Sequence, residues 1–192
     1  VVSVISRGKV SATAQSLGGL RGVVTENLVR SNTLPSRLGS SVTNAAVAGG
    51  RFDADLLQAG LVDRLFACSI GSQVSQVCNF GCSASHASMT SLLERAHLRS
   101  MPGGAGSLVP VTNSATQVNF DLSRDGTGEL TASQMVAYAY IPGVRAVEAV
   151  ELNKAIDGDI TTAGAADLAG RCINSAMSSD NTVTLYVYLG HR

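Results

Sequence analysis

Charged side chains are scarce in this chain of 192 residues, of which they make up 15%, whereas typical soluble domains have roughly a quarter. Lysine is scarcer still, since Lys9 and Lys154 are the only two among 14 basic residues. Glycine, alanine, serine and threonine take the place of the missing charges. A surface of this composition is weakly hydrated and suited to burial against another molecule. We therefore predict protein partners, in a homo- or hetero-oligomer. A monomer with a surface rich in serine and threonine is the alternative.

Long hydrophobic runs are missing as well. No stretch of the sequence approaches the roughly 18 consecutive apolar residues that a membrane-spanning helix needs. The N-terminus does not show the charged start followed by an apolar core that is typical of a signal peptide. We expect no membrane segment and no leader, with a virion or the cytoplasm as the locations that the composition allows.

Recognisable catalytic and nucleotide-binding motifs do not occur. The chain has no phosphate-binding Gly-x4-Gly-Lys-Ser/Thr loop, no dinucleotide-binding glycine spacing and no Gly-x-Ser-x-Gly nucleophile turn. The three histidines, His86, His97 and His191, have no obvious acidic partner nearby in the sequence. The sequence predicts no catalytic residue and no cofactor, and a non-enzymatic role is favoured over an enzymatic one.

Cysteine is too sparse for a disulfide scaffold, with four residues in the chain. Cys68 and Cys172 lie in apolar stretches that predict helices, and we expect both to be small core residues. Cys78, Cys82 and His86 form the densest group of soft metal ligands, which makes them a candidate zinc site. Zinc usually takes four ligands. A helix that carried both His86 and His97 would hold them about 16 Å apart, too far to share one ion.

Other interpretations of this group stay open. Ordinary packing of two thiols near a turn between a strand and a helix is the favoured one. Cys78 and Cys82 could form a disulfide in an oxidising compartment. Cys82 also precedes a predicted helix N-terminus, which lowers the pKa of a thiol. An enzyme with Cys82 as nucleophile and His86 as base is therefore an alternative.

The order of predicted elements indicates the fold class. Strands are interspersed with helices without a strict βαβ alternation, which favours an α+β fold. The length fits a single compact domain, residues 1–192. We expect several amphipathic helices packed on a mostly antiparallel sheet that includes the C-terminal strand. The glycine-rich loop 101–107 is where a subdomain boundary could fall.

Hydrophobic periodicity and turn signals predict the individual elements. The clearest strand is 182–189, where valine and leucine alternate with threonine and tyrosine. Thr131 and Gln134 have capping-box spacing, which predicts a helix start. The predicted helices are 11–29, 53–68, 85–98, 131–141 and 162–177; the predicted strands are 1–5, 74–80, 108–111, 116–120 and 182–189, and 144–152 is compatible with either.

Acidic side chains recur at calcium-loop spacing in residues 121–129. The order Asp, Ser, Asp, Gly at residues 121, 123, 125 and 126 fits positions 1, 3, 5 and 6 of an EF-hand loop. Position 12 is Ala132 rather than glutamate, and a predicted strand precedes the loop instead of a helix. A tight Asp-Gly turn is the favoured interpretation. The calcium alternative would use Asp121, Ser123, Asp125, Thr127 and Glu129.

Basic residues are concentrated towards the N-terminus. The first 51 residues contain six basic and one acidic side chain, whereas residues 101–192 contain five basic and nine acidic ones. Nucleic-acid binding would need the basic groups on one face, and solvated arginines are the favoured interpretation. The six basic residues that could contact phosphates weakly are Arg7, Lys9, Arg21, Arg30, Arg37 and Arg51.

Together these patterns favour a structural or assembly protein, a subunit of a larger particle such as a viral coat or capsid-associated protein. The basic N-terminal part and the acidic C-terminal part suit head-to-tail contacts between copies. One alternative is a small enzyme with a site at Cys82 and His86. The other is a calcium- or ligand-binding module that uses residues 121–129.

Overall fold

A computed structural model describes the N-terminal helix, most of the C-terminal half and short segments between them. The described residues are 4–32, 34, 56, 60–63, 66, 68–72, 74–75, 93–94, 97–102, 119–131, 133–158 and 163–192. They contain the helices α1 (Val4–Ser31) and α2 (Ala146–Asp157), and the strands β1 (Val74–Ser75), β2 (Leu93–Glu94), β3 (His97–Pro102), β4 (Met135–Arg145), β5 (Cys172–Asn174) and β6 (Thr182–His191).

An antiparallel sheet of four strands lies at the centre of this structure. Its strand order is β3–β4–β6–β5, and β6 is paired with β4 on one side and with β5 on the other. β1 and β2 form a separate antiparallel pair. The α+β class and the antiparallel sheet with the C-terminal strand are confirmed. The expectation of several amphipathic helices is not, because the described residues contain two helices.

The strand β6 divides the core into two layers, as its alternating sequence predicts. Val183, Leu185, Val187 and Leu189 face the side on which α1 and α2 pack. Tyr186 and Tyr188 face the opposite side, where they pack with Phe120. The two tyrosines are buried, so they are not available for stacking on a nucleic-acid base.

The helix α1 extends beyond its predicted range of 11–29. The buried residues of α1 recur at helical spacing. They form one hydrophobic cluster with residues of α2 and with the side chains on the helix-facing side of the sheet, and they are Val10, Leu17, Leu20 and Val24. This packing offsets the low helix propensity of its glycines. The predicted strand 1–5 is wrong at Val4 and Ile5, which are helical.

The predicted helix 131–141 is wrong, because β4 occupies most of this range. Thr131 and Gln134 do bond to each other, with the Thr131 N–H donating to Gln134 Oε1 at 2.8 Å. They form a turn that leads into a strand. From residue 136, side chains alternate between the two core layers, with Val136 and Tyr138 on the aromatic side and Ala137 on the helix side. The alternation of apolar side chains with a period of two, which is typical of a strand, outweighs the helix propensity of the alanines.

The predicted helix 162–177 is also wrong. Gly164 and Gly170 both adopt positive φ angles, of 87° and 88°, which a regular helix does not allow. Three residues in this range form β5, and Cys172 pairs with Val187 of β6. Cys172 is a fully buried core residue as predicted, but it lies on a strand.

The ambiguous range 144–152 contains the boundary between a strand and a helix. β4 ends at Arg145 and α2 begins at Ala146. The helix ends at Asp157, and the next residue, Gly158, has a φ of 80° and donates its N–H to the Lys154 carbonyl at 3.0 Å. This left-handed glycine is a common helix terminus.

Some predicted elements are described only in part. The helix 53–68 does not continue past Gly60, where a φ of 70° and the bond from Leu61 N–H to the Leu56 carbonyl, at 2.9 Å, mark a helix end. Cys68 is buried as predicted but not helical.

The predicted helix 85–98 is wrong at its end, where sheet pairing in β2 and β3 outweighs helical periodicity. Of strand 74–80, Val74 and Ser75 are confirmed, and of strand 116–120, residues 119 and 120 are irregular. The predicted loop 101–107 is wrong at Met101 and Pro102, which belong to β3. Outside the described residues lie the remainder of these ranges, residues 1–3, the predicted strand 108–111 and loop residues 103–107.

Candidate functional site

The segment that matches a calcium loop, residues 121–129, is called the acidic loop below. It is attached to the aromatic side of the sheet by the residues on either side of it, because Phe120 and Leu130 are both buried there. Asn119 joins the two ends: its Oδ1 accepts the N–H groups of Phe120 at 2.9 Å and Leu130 at 3.0 Å. The carbonyl of Asp121 accepts the N–H of Gly170 at 2.8 Å. The loop is therefore anchored at both ends.

Three carboxylates converge in the acidic loop. Oxygens of Asp121, Asp125 and Glu129 all lie within 4.8 Å of one another. Asp121 is buried, whereas Asp125 and Glu129 are exposed. Gly126, with a φ of 88°, and Arg124, with a φ of 65°, allow the chain to fold back on itself here. The sequence spacing thus identified three acidic groups that are also close in space.

Backbone N–H groups hold two of these carboxylates in place. Asp121 accepts from Asp125 N at 3.0 Å and from Gly126 N at 2.9 Å. Glu129 accepts from Leu122 N and Ser123 N, both at 2.6 Å. Four backbone donors therefore fix the positions of these two carboxylates in the loop.

The pKa values of the loop carboxyls follow from these contacts. Hydrogen bonds from Thr127 hold the pKa of Asp125 below its ordinary value. For Glu129, loss of hydration acts to raise the pKa, but hydrogen bonds from Ser123 and Leu122 outweigh it and leave the pKa lowered. Carboxylate oxygens that stay ionised are the ligands that calcium prefers. Calcium binding by Asp121, Ser123, Asp125, Thr127 and Glu129 nevertheless stays a prediction.

The structure does not test the metal site predicted at the cysteines. Cys78, Cys82 and His86 lie outside the described residues, so the zinc, disulfide and nucleophile interpretations stay predictions. His97 belongs to β3 rather than to a helix. Among the described cysteines, burial raises the pKa of the Cys172 thiol well above its ordinary value, and the charges of Asp157 and Asp167 add to this effect. Cys172 is therefore held in its unreactive thiol form.

Four of the six predicted phosphate-contacting residues lie on α1, and Arg37 and Arg51 lie outside the described residues. At 100° per residue, Arg7 and Arg21 lie on one side of the helix and Lys9 and Arg30 on the other. Arg30 is paired with Glu26 at 2.5 Å. The basic groups therefore flank α1 on two sides instead of forming one continuous row.

Between these basic flanks, α1 has an outward face that sequence reasoning did not identify. We define the outer face of α1 as Val4, Gly8, Ser11, Ala12, Gln15, Gly19, Gly22, Glu26 and Val29, all of which are exposed. From Gly8 to Gly22 this face has no charged side chain, although exposed helix faces usually have several. The valines at its ends are 86% and 79% exposed. The helical spacing of its small residues was the signal that could have revealed it.

Glycines on this face have open space around them. A Cβ atom built on Gly8, Gly19 or Gly22 would meet no atom within 4 Å. Each of these glycines costs the helix about 1 kcal/mol relative to alanine. No packing within the described part of the chain requires this cost.

Neither described helix is long and apolar enough to span a membrane. Comparison with protein-family models, with curated proteins and with solved structures found no match.

Proposed function

We propose that this protein is a structural subunit that assembles with further copies of itself through the outer face of α1. The observation that carries the proposal is the charge-free row of small residues, from Gly8 to Gly22, on an exposed helix. A solvated helix face gains from charged side chains and loses from glycine. Small residues become favourable when another backbone approaches closely. A second protein surface on α1 would account for both features.

Charge complementarity supports a second copy of the same chain as the partner. α1 has four basic side chains and one acidic one, whereas residues 101–192 have five basic and nine acidic ones. The acids assigned to this contact are Asp125 and Glu129, which are exposed in the acidic loop. A contact between α1 of one copy and the acidic side of the next is heterologous, and its repetition builds a ring or a filament.

The substitution Gly19→Glu tests this assembly. It places a charge at the centre of the outer face, where a side chain meets no atom of the same chain, so the monomer keeps its fold. Burying an unpaired charge in the contact costs about 3 kcal/mol or more. We expect self-association to weaken roughly 100-fold, measured by sedimentation velocity over a range of concentrations.

The matched control is Ser179→Glu, which adds the same charge at an exposed turn far along the chain from α1. It should leave self-association within about twofold of the unmodified chain. If both variants associate as the unmodified protein does, α1 is not the contact. Equal weakening by both variants would indicate a general charge effect instead of a specific interface.

We propose calcium binding at the acidic loop as a second function, because its three carboxylates lie together. Calcium at 100 times its dissociation constant would stabilise the fold by about 2.7 kcal/mol, seen as a rise in the melting temperature. Asp125→Asn should abolish most of that rise. The control is Asp180→Asn, which changes another exposed carboxylate that accepts hydrogen bonds from hydroxyl groups in a turn. This variant should keep the calcium-dependent rise in melting temperature. A melting temperature that does not respond to calcium would exclude the site.

A further inference from the structure

A cleft lies on the side of α1, where this helix meets the C-terminal end of α2 and the strand β6. Its volume is about 190 Å³. Its apolar walls include Leu17 of α1, Ile156 of α2 and Val187 of β6. Drug-sized ligands occupy pockets of roughly 300–1,000 Å³, so this cleft is suited to a smaller molecule.

Two arginines from distant parts of the sequence line this cleft. Arg21 comes from the flank of α1, and Arg171 comes from the residue just before β5. The backbone of Arg171 is fixed, since its N–H donates to Asp157 Oδ2 at 3.0 Å and its carbonyl accepts the N–H of Tyr188 at 2.8 Å. The cleft therefore presents two cationic groups from separate, well-anchored elements.

These two guanidinium groups are not neutralised within the described part of the chain. No acidic residue of the described segments lines the cleft, and neither Arg21 nor Arg171 forms an ion pair with a described carboxylate. By contrast, two other arginines of the C-terminal half form ion pairs: Arg124 with Asp157, and Arg145 with Glu148. The positive charge of the cleft is thus available to a ligand.

A neighbouring side chain responds to this charge. Burial raises the pKa of Tyr188, while Arg21 and Arg171 both act in the opposite direction. Both guanidinium groups are therefore close enough to stabilise a negative charge at this end of β6. The same field would act on an anion in the cleft.

We propose that this cleft binds a small oxyanion, a carboxylate or a phosphate group, between Arg21 and Arg171. Guanidinium groups match the geometry of both oxyanions with paired hydrogen bonds. The apolar walls would cover the remainder of a small organic acid. The cleft lies beside the outer face of α1 and shares none of its defining residues. Arg21 also belongs to the basic residues that flank this face, but anion binding in the cleft does not require the assembly.

The test is a nuclear magnetic resonance titration of the full chain with sodium acetate and, separately, with inorganic phosphate at constant ionic strength. We expect saturable shifts of signals from residues that line the cleft, for at least one of the two anions. The anion that saturates identifies the oxyanion class. Arg21→Gln and Arg171→Gln should each raise the dissociation constant about tenfold, because each removes a charged hydrogen-bond donor.

Arg7→Gln is the matched control, since Arg7 is an exposed arginine on the same side of α1, about 21 Å along its axis. It should leave the titration unchanged. Because neither cleft arginine makes an ion pair with a described residue, both cleft variants should keep the backbone spectrum of the folded protein. The proposal is overturned if neither anion gives saturable shifts, or if the shifts persist unchanged in both cleft variants.

Discussion

At the residue scale, Glu148 connects the helices to the sheet. This buried carboxylate accepts a hydrogen bond from Ser6 Oγ of α1 at 3.0 Å and from Arg145 of β4 at 2.5 Å. Arg145 also bonds to Ser6. One carboxylate thus joins α1, α2 and the end of β4. Its contribution to stability depends on its remaining ionised.

The stability of the fold should therefore fall in acid. The hydrogen bond from Arg145 lowers the pKa of Glu148; burial opposes this, and Ser6 adds to the lowering. A folded-state pKa below the ordinary value of 4.5 means that the stabilisation is complete above that value and is lost as the pH falls through the folded-state pKa. Urea unfolding at several pH values should show the stability advantage over Glu148→Gln shrinking in acid. Ser6→Ala removes one hydrogen-bond donor to Glu148, so its free energy of unfolding should change with pH by an amount between those of the other two proteins. Parallel pH curves for the unmodified protein, Glu148→Gln and Ser6→Ala would contradict this account.

At the element scale, glycines differ by what surrounds them. Gly19 lies on an exposed helix with open space, whereas Gly170 has a φ of 88° and a Cβ there would lie 2.7 Å from Asp157 Oδ2. Gly19→Ala should raise the free energy of unfolding of the dilute protein by about 0.5–1 kcal/mol. Gly170→Ala should lower it by at least about 1 kcal/mol. Chemical denaturation measures both, and changes of the same sign in the two variants would contradict the packing described for them.

Elements with a clean local pattern could be predicted from the sequence. β6 alternates strictly, so its two faces follow from the residues alone. β4 alternates as well, but Ala137 and Ala139 favour helices, and the turn at Thr131 imitates a helix start. The pairing of β4 with β6 decides the outcome, and it depends on residues about 50 positions away. Local propensity is a weak guide when such pairing competes with it.

The same distinction applies to the candidate sites. The acidic loop is local, so the spacing of its carboxylates predicted which of them come together. The cleft combines Arg21 with Arg171, and nothing in the sequence near either residue indicates the other. Only the packing of α1 beside β6 brings them together. Sites made from distant elements need the fold before they can be recognised.

At the scale of the whole molecule, the two faces of the sheet are covered differently. The helices α1 and α2 cover one face, and the segment around the acidic loop covers the aromatic face. Among the described residues, the outer face of α1 is a surface of small residues that this arrangement leaves uncovered. A basic helix at one side and acidic loops at the other give each copy complementary surfaces.

The central claim is that this surface is buried between copies, and light scattering coupled to size-exclusion chromatography tests it most directly. Our account predicts a molar mass that rises with protein concentration above the mass of one chain. The rise should be smaller at high salt, because charge pairs flank the contact. A molar mass equal to one chain at every concentration and salt condition would contradict the account.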